Sequence, residues 1–258
     1  MTKQTKKLSA QTTVTTVNVG QKVPLVDTSG NVTLITPDNL KVGMIGTLNL
    51  NAIEDGIFIM YHRKSDNFPL MVKPHKWTAT QTSGEVADGV VLVEGGKCLV
   101  IAPTESPSTL LWSSAALSGG GFTTSDRVAA MNDWAGKTNT AAQIAASTTN
   151  AVTNTASYAP GFCNLYSRVN ANGFGLTAGK WWLPSEGELM AIYANMLKIN
   201  YALSLITGAT QLVEDAYWSS TEGSAAGAWL LNLGDGLMFN CAKASNMFRV
   251  RPVSAFIS

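Results

Sequence analysis

The sequence has little of what most enzymes use for chemistry. Its 258 residues include two histidines and three cysteines, and only 14% of the chain is charged. The histidines stand in Tyr61-His62-Arg63-Lys64 and Lys73-Pro74-His75-Lys76, among cations and with no acidic neighbour in sequence to orient the ring. We read both as solvated or hydrogen-bonded surface residues. With both in one part of the chain, no Ser-His-Asp or Cys-His set assembles. Cys98, Cys163 and Cys241 are odd in number and far apart. That argues against a disulfide framework and a zinc cluster and favours buried free thiols, although one pair closing in space stays open. Glu186 and Glu188 sit two apart on an expected helix, so their side chains diverge by about 200° and do not share one substrate atom. We expect no catalytic residue, no metal and no cofactor.

The formal net charge is +1 with no dense basic block, so nothing drives the chain onto nucleic acid by counterion release. No stretch approaches the roughly 18–20 apolar residues that span a bilayer. The first seven residues, Met1-Thr2-Lys3-Gln4-Thr5-Lys6-Lys7, are basic, but 8–20 is a mixture of Thr, Val, Asn and Gln instead of the apolar core of a Sec signal. The expectation is exposure without Sec export, on a particle assembled in the cytoplasm, or else a signal lying upstream of this sequence.

What is present is ordinary globular material: 45% of residues are hydrophobic, enough for one large or two modest domains. Residues 1–20 are polar and Thr-rich. They read as an extended arm in which Val14, Val17 and Val19 suit a strand that orders on a partner surface, with a disordered tail as the competing reading. Residues 22–27 and 31–36 flank Thr28-Ser29-Gly30 as a hairpin, and further short strands are expected at 46–50, 57–62 and 70–72. Together 21–90 form a small β-rich module with no helix of convincing length. Its few apolar residues per strand favour association with copies of itself. From 90 to 103 two apolar strands enclose Glu94-Gly95-Gly96, which places a domain boundary near residue 90. A strand continues at Leu110-Leu111-Trp112. Gly119-Gly120-Gly121 then reads as a flexible joint and not a phosphate loop, since no Gly-Lys-Ser/Thr follows.

Ser125 is expected to cap a helix reaching Trp134, with Val128, Met131 and Trp134 facing the core. Thr140 with Gln143 repeats a capping-box pattern before Ile144, and an Ala-rich segment covers 151–158. Residues 181–256 carry the most information. Ser185 and Glu188 form a capping box that starts a helix whose apolar stripe is Leu189, Ile192, Tyr193, Met196 and Leu197. Three short strands follow around Tyr217-Trp218-Ser219-Ser220-Thr221-Glu222, Ala228-Trp229-Leu230-Leu231-Asn232 and Phe248-Arg249-Val250-Arg251-Pro252-Val253, with a Gly234-Asp235-Gly236 turn among them.

In that order, Trp-x-Leu-Pro-Ser-x-x-Glu-Leu, Tyr-Trp-Ser-Ser-Thr-Glu, an Ala-Trp strand with a Gly-x-Gly turn, and Arg-Val-Arg-x-Val resemble the C-type-lectin-like fold over roughly 91–258. The branch is that of formylglycine-generating-enzyme relatives, Fibrobacter major paralogous domains and variable surface proteins of phages and Bacteroidetes. The resemblance implies an α+β chain: a C-terminal C-type-lectin-like domain, preceded by a small all-β module and the arm. It departs from the copper oxidases of that branch, because no second cysteine stands near Cys241 and Cys163 precedes Trp181 by 18 positions. It departs from calcium lectins too. No Glu-Pro-Asn or Gln-Pro-Asp loop is present, and Asn132-Asp133-Trp134 runs in reverse order.

In the variable branch, side chains between the Ala-Trp and Arg-Val-Arg strands are displayed over a rigid frame. Here they are Asn232, Asp235, Met238, Phe239, Asn240, Lys243, Ser245, Asn246 and Met247. Amides, one cation and soft apolar groups suit recognition of carbohydrate or protein. The competing reading packs Met238, Phe239 and Met247 in the core or a subunit interface. Asp235 is first a turn residue, and Trp182, Trp218 and Trp229 are core.

Taken whole, the chain resembles head-fibre or capsid-decorating proteins of crAss-like phages that infect Bacteroides. The resemblance implies a virion location, attachment to the major capsid or another virion protein through the arm, a homotrimer, and weak multivalent binding of a host-surface glycan or protein. The alternatives are a secreted bacterial cell-surface adhesin and a purely structural capsid cement protein.

Overall fold

The structure, a computed structural model, describes residues 23–26, 32–35, 54–147 and 153–256. The chain divides into two compact units, Met1–Ala52 and Ile53–Ser258. In the first, strands β1 (Val23–Val26) and β2 (Val32–Ile35) pair antiparallel with Val26 opposite Val32, the hairpin the sequence predicts. The arm at 1–20 and the strand expected at 46–50 lie outside the described residues.

The second unit is built on a five-stranded antiparallel sheet. It contains β3 (Gly56–His62), β4 (Pro69–Val72), β5 (Ala87–Glu94), β6 (Lys97–Ile101) and the chain's last strand, β14 (Val253–Ser254), in the order β14-β6-β5-β3-β4. This corrects the boundary expected near residue 90. Ile59 pairs with Val90 and Phe58 with Val91, so the strands assigned to a separate module are hydrogen-bonded into the same sheet as the 90–103 hairpin. The continuous apolar run Val90–Val93 explains why: successive side chains of a strand point to opposite faces, and both faces of β5 are buried. Val90 and Leu92 join one core cluster with Ile59, Leu99 and Ile101, while Val91 and Val93 join another with Met60, Val100 and Trp181. The β5–β6 turn needs positive φ at both central residues and has it, Gly95 at 54° and Gly96 at 74°.

A helix the sequence reading missed, α1 (Pro74–Thr82), closes one side of this sheet. Pro74 starts it, as proline does at a first helical position, and Trp77 is its fully buried anchor. A single large aromatic fixes it where no apolar stripe exists to be read.

The rest of the unit alternates short helices with a second sheet. β7 (Leu110–Leu111) leads to α2 (Arg127–Met131), α3 (Gly136–Ala146) and α4 (Ala159–Leu165), then to the small pair β8 (Arg168–Val169) and β9 (Gly175–Leu176). Helices α5 (Glu186–Ala194) and α6 (Met196–Ser204) precede the antiparallel meander β10 (Ala216–Glu222), β11 (Gly227–Asn232) and β12 (Met238–Ala242). β13 (Met247–Phe248) pairs with β7, and Trp182 bridges to Val253 beside β14. Mixed α+β content is therefore observed.

Two helix expectations change. α2 is capped by Asp126, not Ser125: its Oδ1 accepts from the N–H of Val128 at 2.7 Å and of Ala129 at 3.3 Å. The helix stops after five residues, so the stripe expected to face the core points out, Val128 at 66% exposure and Trp134 at 37%. The residue turned inward is Asp133, which accepts from Ala135 N–H, Asn139 Nδ2 and Thr221 Oγ1. Likewise Thr140 and Gln143 do not cap a helix but lie inside α3. The Leu183 N–H donates to Thr140 Oγ1 at 3.1 Å, and Gln143 Nε2 donates to the Ser220 carbonyl at 2.7 Å. In place of a segment over 151–158, helix α4 starts at Ala159, and 148–152 lie outside the described residues.

Candidate functional site

Beneath the surface expected to bind lies a buried polar frame. Glu222 and Lys243 are both fully buried and form an ion pair of 2.5 Å. Glu222 also accepts from the N–H groups of Gly119 at 2.8 Å and Gly121 at 3.0 Å. Lys243 Nζ donates to the carbonyls of Leu117 and Ala225 and lies 4.4 Å from the Trp112 ring centre. Burial holds the lysine below its usual pKa, against the pull of Glu222. The glycine run is thus a cradle for a carboxylate and not a joint. A Cβ on Gly119 would meet Trp112 at 2.8 Å, and one on Gly121 would meet Gln143 at 2.8 Å.

This frame sorts the residues expected to bind a ligand. Lys243 is removed from that set, because its ammonium is enclosed by three protein partners. Met238 is removed as well: it is 5% exposed and packs into the main core cluster. Asn240 is exposed on β12, and its amide fills the space that Cβ atoms at Gly223 and Gly227 would occupy. Asn246 and Met247 are exposed beside β13. Asn232 and Asp235 lie at the opposite end of β11, where they shape the turn: Asn232 Oδ1 accepts from Gly234 N–H and Asp235 Oδ1 from Leu237 N–H. The expected set is therefore split between the two ends of the meander.

The turn end borders a cleft of about 840 Å³ lined by residues 193–198, 200, 212–214 and 233. Its shape comes from a break between two helices. The capping box at Ser185 and Glu188 starts α5 as the sequence predicts, with Glu188 Oε2 accepting from the Ser185 N–H at 2.9 Å. Asn195 ends that helix: its Nδ2 donates to Glu94 Oε2 at 2.9 Å and to the Ala191 carbonyl at 3.1 Å. Past the break the apolar stripe no longer continues. Leu189 and Ile192 are buried as expected, but Leu197 is 88% exposed on the rim of the cleft. The facing wall is held by Asn200, which accepts from the Leu212 N–H at 2.7 Å and donates to the Leu212 carbonyl at 2.8 Å. Gly236, at φ 73°, brings the turn flat against the Tyr193 ring. Sequence reasoning missed Leu197 and Val213 as surface residues. The signal available was Asn195 in mid-stripe.

The aromatic motif residues are frame, as expected. Trp218 Nε1 donates to the Leu110 carbonyl, Trp229 Nε1 to the Thr124 carbonyl and Trp182 Nε1 to Glu188 Oε2. Arg251 donates to the carbonyls of Ala102, Thr210 and Gln211, tying the C-terminal motif to the cleft wall. His62 is hydrogen-bonded, one of the two readings, but it is largely buried and its partner is acidic. Its Nδ1 lies 2.6 Å from Oδ2 of the buried Asp88, a partner 26 positions away in sequence, and burial pushes that carboxyl up. His75 is exposed.

Two buried carboxyls stand apart. Glu188 is pushed up to about 7, chiefly by burial, despite the N–H donors on its Oε2. Glu186 is pushed up to about 8, chiefly by burial, with the Ser219 hydroxyl pulling it down and the charge of Asp133 raising it; Ser219 Oγ itself donates to the Trp229 carbonyl, and no hydrogen bond of ordinary geometry reaches either Glu186 oxygen. Among the described residues no three His, Cys, Asp or Glu side chains converge as a metal site, and no helix is long and apolar enough to cross a membrane. Cys98, Cys163 and Cys241 are free thiols in β6, α4 and β12.

No protein-family model matches the chain. No curated protein matches it either. Among solved structures it is similar to a fimbrial protein from Bacteroides ovatus, at 17% identity and a TM-score of 0.40, over 61% of this chain and 35% of that one. The chain spans about a third of that protein's length. A likeness of this degree carries no argument about fold or function.

Proposed function

We propose that the chain is a surface-recognition protein that binds a carbohydrate or protein through residues 53–258 and catalyses nothing. The observation that carries this reading is the cleft of about 840 Å³, set on rigid supports and rimmed by a leucine at 88% exposure. Its volume falls within the roughly 300–1,000 Å³ of ligand sites, and an exposed large apolar side chain beside convergent amides is the composition of a contact surface. Changing Leu197 and Val213 together to Asp is expected to reduce binding of the purified, labelled chain to intact Bacteroides cells at least tenfold. Thermal stability should stay within a few degrees, since both side chains face solvent. Unchanged cell binding would remove the cleft from the reading.

The finer reading is a C-type-lectin-like head carried on a phage particle, as a head fibre or capsid-decorating protein. The motif order supports it, and so do two features of the fold: the last strand, β14, paired with β6, and a three-stranded meander that follows the helices α5 and α6. In this reading 1–52, not 1–90, attaches to the virion and forms the trimer. Light scattering is expected to give the full chain three times its monomer mass and residues 53–258 a folded monomer. A monomeric full chain would instead favour the secreted adhesin.

A further inference from the structure

We propose a second binding site, for a single acidic sugar residue of the hexuronate type, in the cavity between β6, the α2–α3 connection and the start of α5. The site goes beyond the cleft and shares no lining residue with it. The cavity measures about 210 Å³. At ~30 Å³ per water molecule this is room for about seven waters, or one pyranose ring and not two.

Two lysines from different elements flank it. Lys97 Nζ lies 5.4 Å from the ring centre of Trp134, and Lys137 Nζ lies 5.8 Å from that of Trp182. Both lysines are exposed, and neither makes an ion pair with a described residue. Two ammonium groups at one cavity, against one carboxyl held near neutrality at about 7, favour an anionic guest. The interior supplies the remaining chemistry of a sugar. Glu188 closes the floor of the cavity, held in place by the Ser185 N–H at 2.9 Å and Trp182 Nε1 at 3.1 Å. Trp134, 37% exposed, offers indole surface to the apolar face of a ring.

The geometry is built in advance. Gly136 opens α3 hard against the site: a Cβ there would lie 2.2 Å from Glu188 Oε2 and 2.8 Å from Trp182 Cδ1. Only glycine admits this approach. A neutral sugar would leave the two lysines without a partner, and an anion without a ring would leave the Trp134 face uncovered.

The test titrates the full-length chain with methyl β-D-glucuronide, methyl β-D-glucoside and inorganic phosphate, followed by calorimetry and ligand-observed NMR. Saturable glucuronide binding is expected, in the millimolar range for one sugar ring, with the glucoside at least tenfold weaker. Phosphate should not displace the glucuronide at equal concentration. Lys97→Ala with Lys137→Ala should weaken the glucuronide at least tenfold with an unchanged melting temperature, as both side chains are exposed. Trp134→Phe, which keeps an aromatic wall, should retain most of the affinity. Absence of saturable binding overturns the proposal. So does equal affinity for the glucoside, equal competition by phosphate, or a double lysine variant that binds as the native chain does.

Discussion

Lys243→Ala is expected to destabilise the second unit by about 3–5 kcal/mol, the cost of leaving one partner of a buried ion pair uncompensated. Glu222 would remain fully buried. The N–H groups of Gly119 and Gly121 would still hold it, but without the ammonium 2.5 Å away. The Leu117 and Ala225 carbonyls lose their partner at the same time. At roughly 2–4 °C per kcal/mol for a domain of this size, the melting temperature should fall by about 6–20 °C. A double variant, Lys243→Met with Glu222→Gln, removes both charges together and should recover a substantial part of the loss, because the desolvation of two ions is removed with their attraction. Calorimetry of the three proteins decides. A Lys243→Ala chain that melts with the native one would return Lys243 to the binding surface, where the sequence pattern first placed it.

That misplacement shows what the sequence discloses and what it does not. The β5–β6 hairpin, the box at Ser185 and Glu188 and the turn at Asp235 were legible because each is closed by residues within five positions of one another. The Glu222 cradle was not. It joins Gly119, Gly121, Glu222 and Lys243 across more than a hundred positions, and a glycine run looks the same whether it swings freely or must let a carboxylate approach its backbone. The domain boundary failed for a related reason. The composition change near residue 90 marks where strands become buried on both faces, not where a domain begins, and β3 pairs across it. Helix α1 rests on Trp77 alone, without periodicity to report it. At the cleft, the stripe from Leu189 to Leu197 kept its period in sequence while Asn195 broke it in space, so its last member became the most exposed leucine on the rim. His62 illustrates the limit of neighbour counting: its sequence neighbours are cations, and its real partner is Asp88 on the adjoining strand.

The second large effect is in pH. The protein should lose stability as pH rises from about 5 to 8, the reverse of what paired surface carboxylates produce. Glu186 has an ordinary value of 4.5 and is held at about 8 in the folded chain; Glu188 is held at about 7. A raised folded-state pKa means that the native state keeps a proton which the unfolded chain releases above about 4.5. Stability is therefore greatest below that pH, declines through the window, and levels off once the folded carboxyl has ionised near 8. Each carboxyl contributes a slope approaching 1.4 kcal/mol per pH unit, so the pair should remove several kcal/mol between pH 5 and 8. Asp215, which is lowered through its bond to Arg249, titrates below this window and does not offset it. Glu186 is the cleaner probe, because no hydrogen bond of ordinary geometry reaches either oxygen. Glu186→Gln should flatten the decline and leave the variant more stable than the native chain at pH 8. Glu188→Ala should instead destabilise at every pH, since it removes the one oxygen that accepts from both the Ser185 N–H and Trp182 Nε1. Denaturant midpoints at pH 5, 6, 7 and 8 for the three proteins separate these cases. An equal slope in the native and Glu186→Gln chains would mean that the carboxyl at the start of α5 is ionised and solvated, and the frame around it more open than its packing indicates.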